Sequence, residues 1–425
     1  MQMTQCQTRA LRILRKWYHG SNPVCILQGN AGTGKTTLVK QLLDTLPNVH
    51  PLILAPFNEA VKQLERSIGN KYPLKTVCSA LAYTMQQQED GLVLAKVGIT
   101  DLSMYNLLII DEASTLSEAL LNEIENLQMY TLFIGHKSQL PPVVKDLSRY
   151  DKCISPAFTR DYLTIDLVET VRHTGELADF CNLAESLIYK AGVLPSKYLG
   201  TLKQVTNYLN TSEGNSKLFS GDLKFLAWTN EKVDFYNSLC REILFPDNKE
   251  FFLVDDRVIL NRPAYGYTKT LQAYTTNITQ IHKDYLLHTT NTKGVIIAIE
   301  TKTILNVLCW ELLVRTDSTV GMLSIFYVPM DNMEYEIVRA KYTRRIFTAK
   351  EADKAKHLAR LQTFDCVFAN MKHNYSMTVN KAQGSTIDIT IVDEGDINRC
   401  ENVHLKRKLK YVAFSRAKTT LIRLK

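Results

Sequence analysis

The residues whose types and spacing are suited to chemistry are Lys35, Thr36, Asp111 and Glu112. Lys35 and Thr36 close the run Gly29-Asn30-Ala31-Gly32-Thr33-Gly34-Lys35-Thr36, a glycine, four residues and Gly-Lys-Thr, which is the spacing of a nucleotide-phosphate loop. Its glycines let successive backbone N–H groups converge on phosphate oxygens at a helix N-terminus. Lys35 is then expected to neutralise the β- and γ-phosphates of ATP and Thr36 to hold Mg²⁺, with Asn30, Ala31, Gly32, Thr33, Gly34 and Thr37 as further nucleotide contacts. Asp111 and Glu112 end the apolar run Leu107-Leu108-Ile109-Ile110. Burial of a strand explains the run but does not ask for two carboxylates at its tip. Asp111 is assigned to Mg²⁺ and Glu112 to polarising the attacking water.

These groups need elements to hold them. Val24-Cys25-Ile26-Leu27 before the loop and the apolar period of Leu38-Val39-Leu42-Leu43 after it predict strand, turn and helix. Residues 4–18 predict a capped amphipathic helix, in which the amide of Gln7 either reads the N6/N7 edge of adenine or is an exposed helix glutamine. A second strand, Pro51-Leu52-Ile53-Leu54-Ala55, leads into the turn Pro56-Phe57-Asn58. Ligands meet the carboxyl ends of strands in open parallel sheets, so this turn faces the same edge as the phosphate loop. Thr76 and Ser79 offer hydroxyls to a sugar-phosphate backbone or serve as ordinary caps. The Asp90-Gly91 pair predicts the turn of a small β-hairpin between residues 83 and 99, with a mixed helix-loop-strand insertion as the alternative because the arms are uneven. Thr131-Leu132-Phe133-Ile134-Gly135 predicts another strand, after which Gln139 is placed to sense a γ-phosphate.

The 425 residues, 45% hydrophobic and 22% charged, allow two or three globular domains and argue against a disordered chain. No run reaches the roughly 18 apolar residues of a membrane span, and no secretion signal is evident, so the expected place is the cytoplasm. Nine singly scattered cysteines read as reduced thiols and not as a zinc site. The net charge of +8 suits a polyanion partner or a solvated surface equally well.

With these motifs in this order, the chain resembles the superfamily 1 helicases, and within them the RecD-like class B group that includes the phage Dda-type helicases. Leu167-Val168-Glu169-Thr170-Val171-Arg172 is similar to the fourth motif, which implies that Arg172 reaches the γ-phosphate with its planar fork. Phe225-Leu226-Ala227-Trp228-Thr229-Asn230 is similar to a strand and turn that grip single-stranded DNA, although Trp228 equally suits strand core. The fifth motif is matched over residues 376–386, implying Gly384 near the phosphates and Thr378, Asn380 and Lys381 near DNA. The sixth, over residues 411–418, implies that Arg416 is a second arginine on the γ-phosphate. The resemblance also places Gln7 on adenine, and Pro56, Asn58, Thr76, Ser79, Thr229 and Asn230 on DNA. Two positions depart from it: His136 stands where an acid is usual and Asn380 where a histidine is common.

The fold implied is α/β, with two RecA-like P-loop motor domains. The first covers residues 1–166, with the hairpin insertion at about 83–99; the second covers 167–257 and 369–425. Residues 258–368 are expected to form an inserted, β-rich, SH3-like barrel. A basic stretch at 339–360 and the cluster Lys406-Arg407-Lys408-Lys410 read as solvated helix faces or as backbone contacts to nucleic acid. The implied activity is that of an ATP- and Mg²⁺-dependent 5′→3′ DNA helicase of phage replication or recombination. It is expected to act as a monomer away from membranes, on single-stranded and forked duplex DNA, beside a single-stranded-DNA-binding protein or replisome components. Two alternatives share the motifs: a translocase that strips proteins without separating strands, and a viral RNA helicase.

Overall fold

The computed structural model describes residues 3–30, 32–69, 71–88, 91–143, 153–169, 175–265, 286–317 and 321–425. The chain forms two units, Met1–Ile243 with Ser376–Lys425, and Leu244–Tyr375.

The first unit contains two parallel sheets. In one, β1 (Val24–Gly29), β2 (Pro51–Ala55) and β3 (Leu74–Thr76) are followed by the hairpin strands β4 (Tyr83–Gln88) and β5 (Gly91–Lys96), then by β6 (Leu107–Ile110), β7 (Tyr130–Gly135) and β8 (Leu163–Leu167). The sheet order is β3-β2-β6-β7-β1-β8, with every pairing parallel. Such a sheet is covered on both faces, so its strands carry continuous apolar runs, and β2 and β6 are buried at every residue. Alternation divides them. Leu27, Ile53, Leu107 and Ile109 pack with Leu14 and Trp17 of helix α1 (Gln5–Tyr18) and Leu38 and Leu42 of α2 (Lys35–Thr45). Ile26, Leu52, Leu54, Leu108 and Ile110 pack in a second cluster, with Leu121 and Phe133. The strands β4 and β5 pair antiparallel from Tyr83 opposite Lys96 to Gln88 opposite Gly91. Gly91 therefore stands in the ladder and not in the turn, one residue from where the Asp-Gly signal puts it; Asp90 lies outside the described residues.

The other parallel sheet runs Ser376–Thr378, Leu223–Ala227, Ile387–Asp393, Ala417–Leu424, Leu199–Gly200. Helices Glu176–Tyr189 and Val403–Phe414 pack on it through Phe180, Ala184, Ile188, Leu409, Val412 and Phe414. Arg423 and Glu394, each 2% exposed, form an ion pair at its carboxyl end. Arg423 Nη1 also donates to the carbonyl oxygens of Pro195 (2.8 Å) and Lys197 (2.7 Å). Removing one partner of such a pair strands a buried charge, so Glu394→Ala is expected to cost about 3–5 kcal/mol, measurable by urea unfolding.

The second unit is a five-stranded antiparallel sheet, in the order Leu323–Pro329, Val307–Thr316, Lys293–Ile304, Arg257–Leu260, Met371–His373. It also holds two 17-residue helices, Asn332–Thr348 and Glu351–Val367. Within it, Arg257–Leu260 pairs with Lys293–Ile304 on one side and with Met371–His373 on the other. The Tyr375 hydroxyl donates to Asp256 at 3.0 Å and ties the two ends of the unit. The basic stretch 339–360, read from sequence as solvated helix faces or backbone contacts, falls on these helices; Val338 is the buried residue of the first, whereas the second buries Ala359, Leu361, Thr363, Phe364 and Val367. They pack through Val338, Tyr335, Tyr342 and Phe364 against Val307 and Cys309.

Candidate nucleotide cleft and nucleic-acid turns

Strand β1, paired between β7 and β8, delivers the phosphate loop to the carboxyl edge of its sheet. Gly32 (φ 84°) and Gly34 (φ 79°) take the left-handed conformation that side chains resist. A Cβ at Gly34 would lie 2.4 Å from Gln7 Nε2. Lys35 opens α2, and its Nζ donates to the carbonyl oxygens of Gly29 (2.7 Å) and Asn30 (2.9 Å), so the ammonium is held over the loop. Ala31 lies outside the described residues.

Asp111 and Glu112 follow β6. Burial, with the neighbouring Glu112 charge, raises the Asp111 carboxyl to about 6 against the opposing pull of Lys35. Glu112 is left-handed (φ 52°, ψ 37°), a backbone strain of the kind found where a side chain must be aimed. Its Oε2 accepts from Gln139 Nε2 at 2.6 Å, while Gln139 Oε1 accepts from the His136 amide at 2.7 Å. The Gln139 amide thus joins its own loop to the acid.

Two further groups come from the other parallel sheet. Gly384 (φ 82°) sits where a Cβ would be 3.5 Å from Glu112 Oε1. Arg416, 4% exposed, donates to the carbonyl oxygens of Val412 (Nε, 3.0 Å) and Ser385 (Nη1, 3.2 Å) and to Ser415 Oγ (Nη2, 2.8 Å). A cleft of about 440 Å³ is lined by Gly32, Gly34, Lys35, Thr36, Thr37, Asp111, Glu112, Gln139, Gly384 and Arg416, together with Lys40 and Gln63. The lining therefore draws on both sheets. Thr36 and Asp111 share it, as a Mg²⁺ site beside bound phosphate requires; hard oxygen donors of this kind suit that ion.

Three expected nucleotide contacts turn inward. Gln7 is 6% exposed; its Oε1 accepts from the Thr4 amide (3.0 Å) and its Nε2 donates to the Thr33 carbonyl (3.0 Å). It braces the phosphate loop, and a bidentate pairing with adenine would require its helix cap to open. Thr33 is buried with its hydroxyl on the Asn30 carbonyl, and the Asn30 side chain donates to Glu185. Arg172 lies outside the described residues. Sequence reasoning passed over Gln383, whose Nε2 donates to Glu112 Oε2 and Ser114 Oγ, both at 3.2 Å. Its signal was its place beside Gly384. His136 takes no acid's part: burial and the charges of Lys35, Lys137 and Lys408 push it down to about 3, so the ring is neutral.

The turns expected on DNA form an internal repeat. In parallel register, Ala55 pairs with Thr76 in one sheet and Ala227 with Thr378 in the other. Each alanine begins Ala-x-x-Asn-Glu, at Ala55 and at Ala227, and each threonine begins Thr-Val-x-x-Ala, at Thr76 and at Thr378. Helices start at Asn58 and Asn230, and the threonines cap the next short helices by accepting from the Ser79 (3.1 Å) and Lys381 (3.3 Å) amides. Ser79, Asn230, Asn380 and Lys381 are exposed; Pro56, Asn58, Thr76 and Thr378 are half-buried. Thr229 is held instead by Asp396, which accepts from its amide (2.8 Å) and hydroxyl (3.0 Å). Trp228 packs half-buried against the core of its sheet. Of the 406–410 cluster, Lys408 is fully buried, Lys410 pairs with Glu394 (3.2 Å), and Arg407 donates to the Lys190 carbonyl (3.2 Å); Lys406, Arg407 and Lys410 are half-buried.

Residues 2–156 match the family model described as an AAA domain, and residues 373–422 match that of the UvrD-like helicase C-terminal domain. The chain is 26% identical over 279 residues to the ATP-dependent DNA helicase dda of Enterobacteria phage T4. The chain is thus similar in sequence to a DNA helicase of the Dda kind. That alignment spans 62% of this chain and 62% of the phage protein. An uncharacterized protein of Acanthamoeba polyphaga mimivirus, R530, is 20% identical over 98% of both chains. The fold is that of the Pif1 helicase from Bacteroides in complex with ADP-AlF3 and ssDNA, at TM-score 0.56 and 16% identity, covering 100% of this chain and 92% of that one. The Candida albicans Pif1 helicase gives a TM-score of 0.52 at 17% identity, covering 100% and 95%.

Proposed function

We propose that the chain is an ATP-driven motor that moves 5′→3′ along single-stranded DNA and unwinds duplex ahead of it. The observation that carries this is the cleft itself: the phosphate loop and acids come from one sheet, Gly384 and Arg416 from the other, and each sheet also bears the same hydroxyl-rich edge turn. In this reading the motor domains are 1–166 and 167–257 with 369–425, and 258–368 is the insertion. Thr36 and Asp111 would hold Mg²⁺, which would supply positive charge beside the phosphates. Lys35 neutralises them, Glu112 aims and polarises water, and Arg416 and Arg172 spread the charge that develops in transfer. A site divided between sheets is complete only when the cleft is closed, and product release permits opening.

The paired edge turns give one grip per motor domain. Pro56, Asn58, Thr76 and Ser79 hold the strand in the first, and Asn230, Thr378, Asn380 and Lys381 in the second, through phosphates more than bases. Opening and closing then walk the two grips past one another. The polarity rests on the class B resemblance. The deciding assay is unwinding of duplexes bearing one single-stranded tail: a 5′ tail is expected to load the protein and a 3′ tail is not. Unwinding from the 3′ tail alone rejects the polarity, and ATP turnover on single strands with no unwinding moves the reading to a translocase.

A further inference from the structure

Two side chains of opposite charge, Lys408 buried and Glu185 half-buried, both on helices of the second parallel sheet, converge on the loop 136–139. Lys408, 0% exposed on helix Val403–Phe414, donates through Nζ to the carbonyl oxygens of Gln139 (3.1 Å) and Lys137. Glu185, on helix Glu176–Tyr189, accepts from Ser138 Oγ (2.9 Å) and from the Asn30 side chain of the phosphate loop, and its Oε1 lies 3.3 Å from His136 Nδ1. An acid and a base therefore hold the main chain and side chains of the loop whose Gln139 touches Glu112.

Stability is a poor explanation for this arrangement. Taking an ammonium or a carboxylate out of water costs several kcal/mol per ion, and well-packed apolar residues serve such positions as well or better. The cost is visible here, since burial pushes Lys408 down to about 7 and raises Glu185. What the pair supplies is linkage. Helix Val403–Phe414 runs into Arg416 two residues beyond its end, so a displacement of the Gln139 carbonyl acts through Lys408 on the element that aims the arginine. Glu185 joins the same loop to Asn30, beside the phosphates.

We propose that Glu185 and Lys408 are positioning residues that transmit the state of the Gln139 loop to the second sheet, so that phosphate loss at one wall of the cleft resets the other. This rests on the reading of the cleft as an ATPase site. Neither side chain lines the cleft or touches the reacting atoms.

The test compares the full chain with Glu185→Gln, Lys408→Met and the double variant, in ATP turnover with and without a single-stranded oligonucleotide and in thermal melting. Each single variant is expected to lose about tenfold in DNA-stimulated kcat, with KM for ATP within about twofold and melting near wild type. The double variant is expected to be no slower than the slower single, because both act through one loop. Wild-type rates, losses that multiply in the double variant, a change in KM alone, or losses that only follow early melting in both singles would each overturn the proposal. A wild-type chain that hydrolyses no ATP rejects the cleft reading itself; an active wild type with equally active variants rejects only the linkage.

Discussion

Lys35→Ala is expected to abolish ATP turnover while single-stranded DNA is still retained. The Lys35 ammonium is fixed by two loop carbonyls, at 2.7 and 2.9 Å, at the N-terminus of α2, where the helix dipole already favours an anion. Removing a preorganised charge from such a site costs on the order of 10²–10³ in turnover, and loss of phosphate binding adds to it. DNA retention is separable for a topological reason: β1 lies inside its sheet, between β7 and β8, whereas β3 and Ser376–Thr378, which carry the hydroxyl caps, are edge strands. Phosphate release and fluorescence anisotropy of a labelled oligonucleotide check the two halves. Hydrolysis at the wild-type rate would refute the phosphate-loop assignment.

Arg416→Ala is expected to lower kcat by about 10³ while ATP affinity changes only a few-fold, because an arginine on a transferring phosphoryl group acts chiefly on charge that develops in the transition state. The guanidinium is aimed by its bonds to Val412, Ser385 and Ser415, and Ser385 adjoins Gly384 at the cleft wall. Arg416→Lys should recover little, since an ammonium keeps the charge but not the planar fork. Alanine also leaves the Val412 and Ser385 carbonyls without this donor, so melting is recorded alongside single-turnover rates. An equal loss in nucleotide binding and in kcat would count against the role.

Much of the cleft was legible because its parts are local. A strand, a glycine turn, a lysine and a helix fall within residues 24–43, and two acids fall at the end of one apolar run, so type and spacing alone carry their chemistry. Glu185, Gln383 and Lys408 were not legible in the same way. Gln383 is marked only by its place beside Gly384, Lys408 reads as one member of a basic run, and Glu185 is one acid in an ordinary helix. Each acquires its role from a partner 47 to 271 residues away. The basic cluster at 406–410 failed for the converse reason: a charge run reads as surface, and only packing reveals that Lys408 is turned inward onto two carbonyls.

By itself the sequence determined that a triphosphate loop and a paired-acid strand end occur in that order, since each is a short-range pattern dictated by backbone sterics and charge; the two arginine-bearing motifs were implied by resemblance to the helicases. Only the tertiary structure decided that the loop is one wall of a cleft completed by Gly384 and Arg416, and that Ala55–Thr76 and Ala227–Thr378 are equivalent pairs. Parallel pairing joins strands that are 21 residues apart in one sheet and 151 in the other. No local pattern encodes which strand lies beside which; that choice is made by burying two apolar faces at once.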